Sequence, residues 1–298
     1  MIKRVFSAGA TLAMIFIASR AIIRSLPGDP LETLIAETGT NLSADLLRQE
    51  LGLDLPFWAS LFHDVRSQLG RSLVSGDPVL PTLFSRLLDT LLLSTCALAI
   101  SVGIALIAAL WAARSPRSSI RSNLIENSAR LAQLAPTAWI GPLVFYTFGI
   151  LIPWAEFRGS FILACLTLAV PLSGHWTRLV LLRIREEVIE PPYKVALAKG
   201  LTLSSALTRH ALAPAAGALL SILGSQWGAL LAGTFIVESI FDRPGLGTAW
   251  IQAVLQRDYP MIEGATFIGA SSCLLGMFAG DFLQRWWDPR SHRENSQL

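Results

Sequence analysis

Six long apolar runs constrain this chain more than any other feature of its sequence. Each approaches the roughly 20 mostly apolar residues that a helix needs to cross the hydrocarbon layer of a bilayer. The strands of a membrane barrel would instead show ten-residue segments of alternating polarity, and these are absent. We therefore predict an all-α integral membrane protein with about six transmembrane helices. The runs lie at residues 5–23, 87–113, 131–152, 161–182, 215–237 and 265–283.

The composition agrees with a chain that faces lipid. Apolar residues make up 52% of the 298 residues and charged residues only 15%, whereas soluble domains average about 25% charged residues. The net charge is +3, and the basic residues are scattered along the chain rather than concentrated in one stripe. This distribution argues against nucleic acid as a partner.

Basic residues are concentrated in alternate loops, which predicts the orientation. Lysine and arginine are enriched in loops on the cytoplasmic side of a membrane. The segment after the second run, 114–121, carries three arginines and no acid. The segment after the fourth run, the C-terminal tail and the N-terminus with Lys3 and Arg4 are also basic. We predict a multi-pass protein of the cell inner (plasma) membrane with both termini in the cytoplasm.

The loop after the fourth run is too long and too patterned for a simple connector. Pro191 and Pro192 can open a helix, because proline fits the first turn, and the residues up to Lys199 are good helix formers. We expect Gly200 to end this helix, since glycine tolerates the left-handed conformation at a helix C-terminus. Thr202 can then cap a second helix that leads into the next span.

Small side chains are frequent in the first of these two short helices. Val195, Ala196 and Ala198 leave little bulk beside the backbone, so the helix could lie close in a groove of another protein. The alternative is a solvated amphipathic connector, and the spacing of the residues leaves both interpretations open.

At this loop the chain resembles a known family. The run Ala196-Leu-Ala-Lys-Gly-Leu201, followed by Arg209-His-Ala-Leu-Ala-Pro214, is similar to the cytoplasmic "EAA" loop of binding-protein-dependent permeases of ATP-binding-cassette (ABC) transporters. The similarity is greatest to the branch that imports dipeptides, oligopeptides and nickel, and it covers nearly the whole chain. Further matches are Leu26-Pro-Gly-Asp-Pro30, Leu51-Gly-Leu-Asp-Leu-Pro56, Leu166-Thr-Leu-Ala-Val-Pro171, Phe241-Asp-Arg-Pro-Gly-Leu-Gly247, Arg257-Asp-Tyr-Pro260 and Asp288-Pro-Arg290.

The apolar runs and the resemblance together divide the chain into four segments. A first transmembrane helix is followed by a periplasmic segment with short amphipathic helices, and then by a permease core of five transmembrane helices that includes the coupling loop. A short cytoplasmic tail ends the chain. These segments are 1–23, 24–86, 87–290 with the coupling loop at 183–213, and 291–298.

The resemblance also implies a mechanism. The chain would pair with a second homologous permease subunit, and its loop would be a coupling helix docked in a cleft of a separate cytoplasmic P-loop ATPase subunit. A periplasmic or lipid-anchored binding protein would deliver the substrate, with short peptides favoured and nickel or a metal chelate second. Lys194 stands where the family motif has its glutamate, and Pro191-Pro192 stands where this branch often has Asp-Tyr. The coupling residues carried over are Lys194, Val195, Ala196, Ala198, Lys199 and Gly200.

The sequence contains no motif for binding ATP. It has no G-x-x-x-x-G-K-[ST] phosphate loop, so the resemblance implies that ATP is bound by the partner ATPase. We expect this chain to be a transporter subunit rather than an enzyme, with no cofactor of its own. Its three cysteines include no CxxC pair, and its four histidines have no ligand spacing, so the sequence predicts no metal site.

A few polar residues fall within or near the apolar runs. A charge at the centre of a transmembrane helix costs about 2.5–3.5 kcal/mol, and Arg20, Arg178, Glu238 and Asp281 lie near helix ends, where this cost is lower. His175 lies deeper, one turn before Arg178. These two are candidates for lining the translocation path. A hydrogen-bonded histidine that serves packing is the alternative.

Two other classes of function are disfavoured. A membrane hydrolase would need a nucleophile such as Ser173 or Ser221 beside His175 or His210, but no G-x-S-x-G or H-E-x-x-H motif occurs. An ion-coupled secondary transporter usually shows inverted repeats and buried carboxylates near mid-membrane, whereas the carboxylates here avoid the centres of the runs. Such a transporter would work alone in vesicles with an ion gradient.

Overall fold

The computed structural model describes residues 2–25, 70–152 and 160–287, together with Ala59. Within these residues helix predominates, and β-structure is confined to one isolated bridge between Arg71 and Pro78. The prediction of an all-α fold is confirmed. The amphipathic helices predicted between the first span and residue 70 lie outside the described residues, as do residues 288–298.

The helices are numbered in chain order. The first five are α1 (Ile2–Ser25), α2 (Val79–Ala113), α3 (Ile120–Leu134), α4 (Thr137–Phe145) and α5 (Phe161–Ile189). They are followed by α6 (Pro191–Ala198), α7 (Leu203–Leu207), α8 (Ala213–Ile240), α9 (Leu246–Leu255) and α10 (Tyr259–Trp287). Two π-helical turns, Tyr146–Leu151 and Thr208–Leu212, follow α4 and α7.

Several helices are long and apolar enough to cross a membrane. In the described part of the chain α2, α5 and the Tyr259–Gln284 part of α10 qualify by length and composition. Two bent pairs bring the number of spans to as many as five if each pair is counted as one. α1 carries a shorter apolar stretch, Phe6–Ile22, at the position of the first predicted span. The protein is thus a multi-pass membrane protein, as predicted.

The third predicted span is broken. α3 and the segment Thr137–Leu151 meet at an angle of 89°, at the dipeptide Ala135-Pro136. Ala135 has an extended backbone, with φ −77° and ψ 112°, because the ring of a following proline disfavours the helical conformation. The apolar run at 131–152 gave no sign of this bend, since hydrophobicity continues on both sides of the proline.

The described residues of Met1–Thr90 and Pro244–Leu274 form a first compact unit. Its core is an apolar cluster in which Val79 and Leu83 of α2 pack with residues of α9 and α10 such as Leu246 and Ala265. In the same unit the Arg20 guanidinium of α1 forms a buried ion pair with Glu263 of α10 at 2.9 Å. Arg20 lies near the end of α1, as the sequence indicated, and its charge is in addition paired with an acid.

The described residues of Leu91–Arg243 and Leu275–Leu298 form a second unit. α5 is its central helix. Trp176, Val180 and Ile184 of α5 are buried in one apolar cluster with alanines of α2 and with residues of α6, α7 and α8. On another side α5 approaches α3 so closely that a Cβ atom on Gly174 would lie 2.3 Å from the carbonyl oxygen of Ala129.

Candidate functional site

The predicted loop helix is present as α6. Glu190 precedes it with an extended backbone, at φ −72° and ψ 150°. Pro191 and Pro192 occupy its first turn, where the missing amide hydrogens cost nothing because those groups have no intrahelical partner. The Pro-Pro dipeptide, a departure from the family pattern, therefore starts the helix rather than preventing it.

Gly200 ends α6 in a Schellman motif. The Leu201 amide donates to the Ala196 carbonyl oxygen at 3.2 Å, and the Gly200 amide donates to that of Leu197 at 2.9 Å, which are the two hydrogen bonds that define this C-terminal cap. Gly200 has φ +86°, and no atom lies within 4 Å of the position that a Cβ would take. The site requires glycine for its backbone conformation and not for lack of space.

Thr202 starts the second helix as predicted. Its side-chain oxygen accepts a hydrogen bond from the Ser205 amide at 3.4 Å, which satisfies one of the unpaired amides at the start of α7. The π-helical turn Thr208–Leu212 then continues directly into α8. A short helix, a glycine turn and a second helix thus connect α5 to α8.

Two residues of α6 are buried, and the others are exposed. Tyr193 and Ala196, three positions apart on one face, are buried. Lys194, Val195, Ala198, Lys199 and Gly200, which the sequence singled out, are exposed, whereas Ala196 faces the interior. Val195 is 49% exposed and the neighbouring Leu197 is 38% exposed. The outer face of α6 (Lys194, Val195, Leu197, Ala198 and Lys199) therefore combines apolar side chains with two lysines.

Tyr193 packs α6 against the core of the second unit. Its side chain belongs to the same apolar cluster as Trp176 of α5 and Leu207 of α7, and this burial raises the pKa of its phenol. Tyr193 was not among the residues predicted for this site, although its spacing of three from Ala196 was a signal for a buried face. Tyr193 is therefore a contact through which α6 packs against α5 and α7.

A second polar site lies between α3 and α5. The Arg178 guanidinium donates to the Gln133 side-chain oxygen at 2.6 Å, and the Gln133 amide nitrogen lies 3.3 Å from His175 Nδ1. Because the oxygen of Gln133 faces Arg178, its NH₂ group faces His175, and Nδ1 must be the acceptor. The structure thus brings the two predicted residues His175 and Arg178 onto one glutamine that the sequence analysis did not identify.

Charged residues continue this site along α3 and α5. Arg185 donates to Glu126 at 2.6 Å and to the Ser122 hydroxyl at 2.8 Å. Arg130, four residues after Glu126 in α3, lies 3.9 Å from the Glu126 carboxylate, but Arg185 is the closer partner. These contacts link α3 to α5 at the end of α5 that leads into α6.

These side chains line a cleft of about 540 Å³ in the second unit. A smaller cavity of about 260 Å³, lined mainly by apolar residues of α5 and α8, shares Gln133 and His175 with the cleft. We call the larger space the polar cleft. The residues that line it include Arg117, Glu126, Arg130, Gln133, His175, Arg178, Arg185 and Glu186.

Other chemistry receives little support from the described residues. None of them form a group of three or more His, Cys, Asp or Glu side chains placed to hold a metal ion. The Ser173 hydroxyl donates to the Val170 carbonyl oxygen at 2.7 Å, and His175 is engaged by Gln133. This arrangement differs from the nucleophile and base pair of a hydrolase.

Known proteins resemble this chain over most of its length. Residues 101–293 match the family described as "Binding-protein-dependent transport system inner membrane component". The glutathione transport system permease protein GsiC of Escherichia coli K12 is 30% identical over 276 residues, which is 88% of this chain and 89% of the relative. GsiC of Pectobacterium atrosepticum is 28% identical over 280 residues, 90% of each chain.

A solved structure supports the fold. The crystal structure of an amino acid ABC transporter with histidines superimposes with a TM-score of 0.52 and 22% sequence identity, and covers 70% of this chain and 94% of that one. Together with the family match over residues 101–293, these similarities confirm the resemblance noted at the 190–214 loop, and the chain belongs to the binding-protein-dependent inner-membrane permeases of ABC importers.

Proposed function

We propose that this chain is the transmembrane permease subunit of an ABC importer that moves short peptides across the inner membrane, with ATP hydrolysed by a separate subunit. The family match and the glutathione permeases among its relatives support this proposal. Import of nickel or a metal chelate by the same architecture is the less favoured alternative, because no relative named above is a metal transporter.

The main support for the proposal is the pattern of buried and exposed side chains on α6. Its inner face is anchored by Tyr193 and Ala196, while its outer face exposes Val195 and Leu197 beside two lysines. Exposed apolar side chains on a short, firmly terminated helix are typical of a segment that docks into a groove. We therefore infer that α6 is the coupling helix, and that the ATPase cleft has an apolar floor and an acidic rim that faces Lys194 and Lys199.

This arrangement supports a route for coupling. When the ATPase subunits move, they would displace α6 as a unit, because the Schellman cap at Gly200 and the proline start make the helix stiff at both ends. Tyr193 would carry the displacement to Trp176 and so to α5. Since α5 carries His175 and Arg178, the same movement would reach the polar cleft, which we place on the translocation path.

The orientation follows from this assignment. A loop that docks on a cytoplasmic ATPase must lie in the cytoplasm, in agreement with the basic residues of the segments 114–121 and 183–213. The predicted even number of crossings then leaves both termini inside. The partners in this account are a second homologous permease, cytoplasmic P-loop ATPase subunits, and a periplasmic or lipid-anchored binding protein that delivers the peptide.

Site-directed crosslinking tests the docking of α6. In a background in which Cys96, Cys165 and Cys273 are replaced by alanine, single cysteines are placed at the exposed Val195 or Ala198 or, as a buried control in the same loop, at Ala206. A crosslinker with one maleimide, which reacts with the cysteine, and one photoreactive group, which inserts into any neighbouring side chain, should join the ATPase subunit to position 195 and not to position 206. Co-purification of the ATPase without any adduct at 195 or at Ala198 would refute the coupling role of α6.

A further inference from the structure

Arg178 lies within a candidate membrane span, towards the end of the apolar run at 161–182. It is exposed within α5, which is apolar enough to cross a membrane. A charged side chain in such a segment is expensive in contact with lipid, and arginines found there face water or a charged partner. Since Arg178 lines the polar cleft, the cleft is the space in which its charge must be satisfied.

The acids that line the cleft are already engaged by other arginines. Glu126 accepts from Arg185 at 2.6 Å and lies 3.9 Å from Arg130, and Glu186 accepts from Arg183 at 2.9 Å. Within the described residues Arg178 makes no ion pair, and its hydrogen bond goes to the neutral Gln133. The cleft therefore holds a positive charge that no described acid neutralises.

Gln133 orients this charge. Its oxygen accepts from one terminal nitrogen of Arg178 at 2.6 Å, and its NH₂ group is fixed in turn by His175 Nδ1 at 3.3 Å. An arginine has five N–H donors in a rigid fork, so most of them stay available in the cleft. A guanidinium held in one orientation with free donors is suited to binding a carboxylate by two parallel hydrogen bonds.

We propose that Arg178 binds a carboxylate of the transported peptide in the polar cleft, with Gln133 as a positioning residue. The proposal rests on the proposed function. The volume of about 540 Å³ falls in the range of roughly 300–1,000 Å³ that is usual for small-ligand sites. Leu179, Leu182 and Ile189, which also line the cleft, provide apolar surface for the side chains of a short peptide.

The charge of the cleft can be measured without transport. A reporter cysteine replaces Leu182, one turn after Arg178, in the cysteine-free background, and the assembled transporter is treated with an anionic or a cationic methanethiosulfonate reagent. The reagent ratio is the rate at which the anionic reagent modifies the reporter cysteine divided by the rate for the cationic reagent. We expect Arg178→Gln to lower the reagent ratio by about fivefold, which is the effect of removing one unit charge several ångströms away in water. Arg121→Gln is the matched control, because Arg121 lies over Trp111 and does not line the cleft.

Uptake measurements separate the role of the charge from that of its orientation. The variants are reconstituted in proteoliposomes with the ATPase, the second permease and the binding protein. Arg178→Gln should lower tripeptide uptake about tenfold or more, which corresponds to the loss of one hydrogen bond to a charged group. Arg178→Lys and Gln133→Ala should keep the reagent ratio of the wild type but lower uptake, since both preserve the charge and lose the oriented fork.

Two results would overturn the proposal. One is an unchanged reagent ratio and normal uptake in Arg178→Gln. The other is loss of the second permease from the purified complex of that variant, which would show that a partner acid fills the cleft. If the wild-type complex shows no ATP-driven uptake, the proposed function fails instead, and the reagent ratio still reports whether the cleft attracts anions.

Discussion

Asp258, directly before α10, accepts a hydrogen bond from the hydroxyl group of Ser72, 186 residues earlier in the chain. Its other carboxylate oxygen accepts from the Leu73 amide at 3.1 Å and lies 3.5 Å from the Met261 amide. The carboxylate therefore fixes the turn that begins at Gly70 and at the same time caps α10. Asp258 belongs to the Arg257-Asp-Tyr-Pro260 motif, which the sequence marked only as part of a resemblance.

Removal of this carboxylate should loosen the turn. Asp258→Ala leaves the Ser72 hydroxyl hydrogen and the Leu73 amide without an acceptor in a buried site, and each unsatisfied donor costs about 1–3 kcal/mol. We expect a lower unfolding temperature in detergent and faster proteolytic cleavage within residues 70–78. Asp77→Asn, at an exposed position in the same turn, is the control and should change neither. Equal cleavage rates in the two variants would contradict this role of Asp258.

The contact of Gly174 with α3 predicts the effect of adding a single methyl group. In Gly174→Ala the new Cβ would lie 2.3 Å from the Ala129 carbonyl oxygen and 2.7 Å from the Gln133 amide nitrogen, so the two helices must separate, at a cost of about 1–3 kcal/mol. Gly103→Ala in α2 meets no atom within 4 Å and should be neutral or slightly stabilising. Thermal unfolding of both variants tests this, and equal melting temperatures would show that α3 and α5 are not in close contact.

Gly200 offers a test of the cap at the end of α6. Valine at this position must adopt φ +86°, a left-handed conformation that costs an ordinary residue about 1–2 kcal/mol. We expect Gly200→Val to insert into the membrane normally but to abolish peptide uptake, because α6 loses its fixed end. Gly200→Asn should keep most of the uptake, since asparagine tolerates this conformation. Wild-type uptake by the valine variant would refute the importance of the cap.

Removal of one partner of the Arg20–Glu263 ion pair should destabilise the protein far more than removal of both partners. Both side chains are 8% exposed, and removal of one partner of a buried pair leaves an uncompensated charge that costs about 3–5 kcal/mol. Arg20→Leu should therefore lower the melting temperature strongly, and the double variant with Glu263→Leu should recover most of it. If the double variant melted no higher than Arg20→Leu, the pairing of the two charges would not explain the loss.

Local signals in the sequence predicted local structure well. The proline start of α6, its end at Gly200 and the Thr202 cap depend on neighbouring residues, and the structure contains each of them. The bend at Pro136 was missed because the apolar run hides it, although the proline itself was the available signal.

Contacts between distant parts of the chain were beyond such reasoning. Arg20 finds Glu263 across 243 residues, and no periodicity connects the two positions. The inward face of α6 was also unpredicted, although the spacing of three positions between Tyr193 and Ala196 was a signal for it. In the polar cleft, His175 and Arg178 were identifiable as polar residues in an apolar run, but Gln133 joins them only through the crossing of α3 and α5.

The most direct test of the central claim is the energy dependence of peptide uptake. The tagged chain is purified from its native membrane with whatever partners it retains, and reconstituted in vesicles either as that complex or alone. We predict that a second permease and P-loop ATPase subunits co-purify, and that the complex accumulates a short peptide only with ATP and the binding protein, whereas the chain alone is inert. Uptake by the chain alone, driven by an ion gradient, would contradict it and identify a secondary transporter.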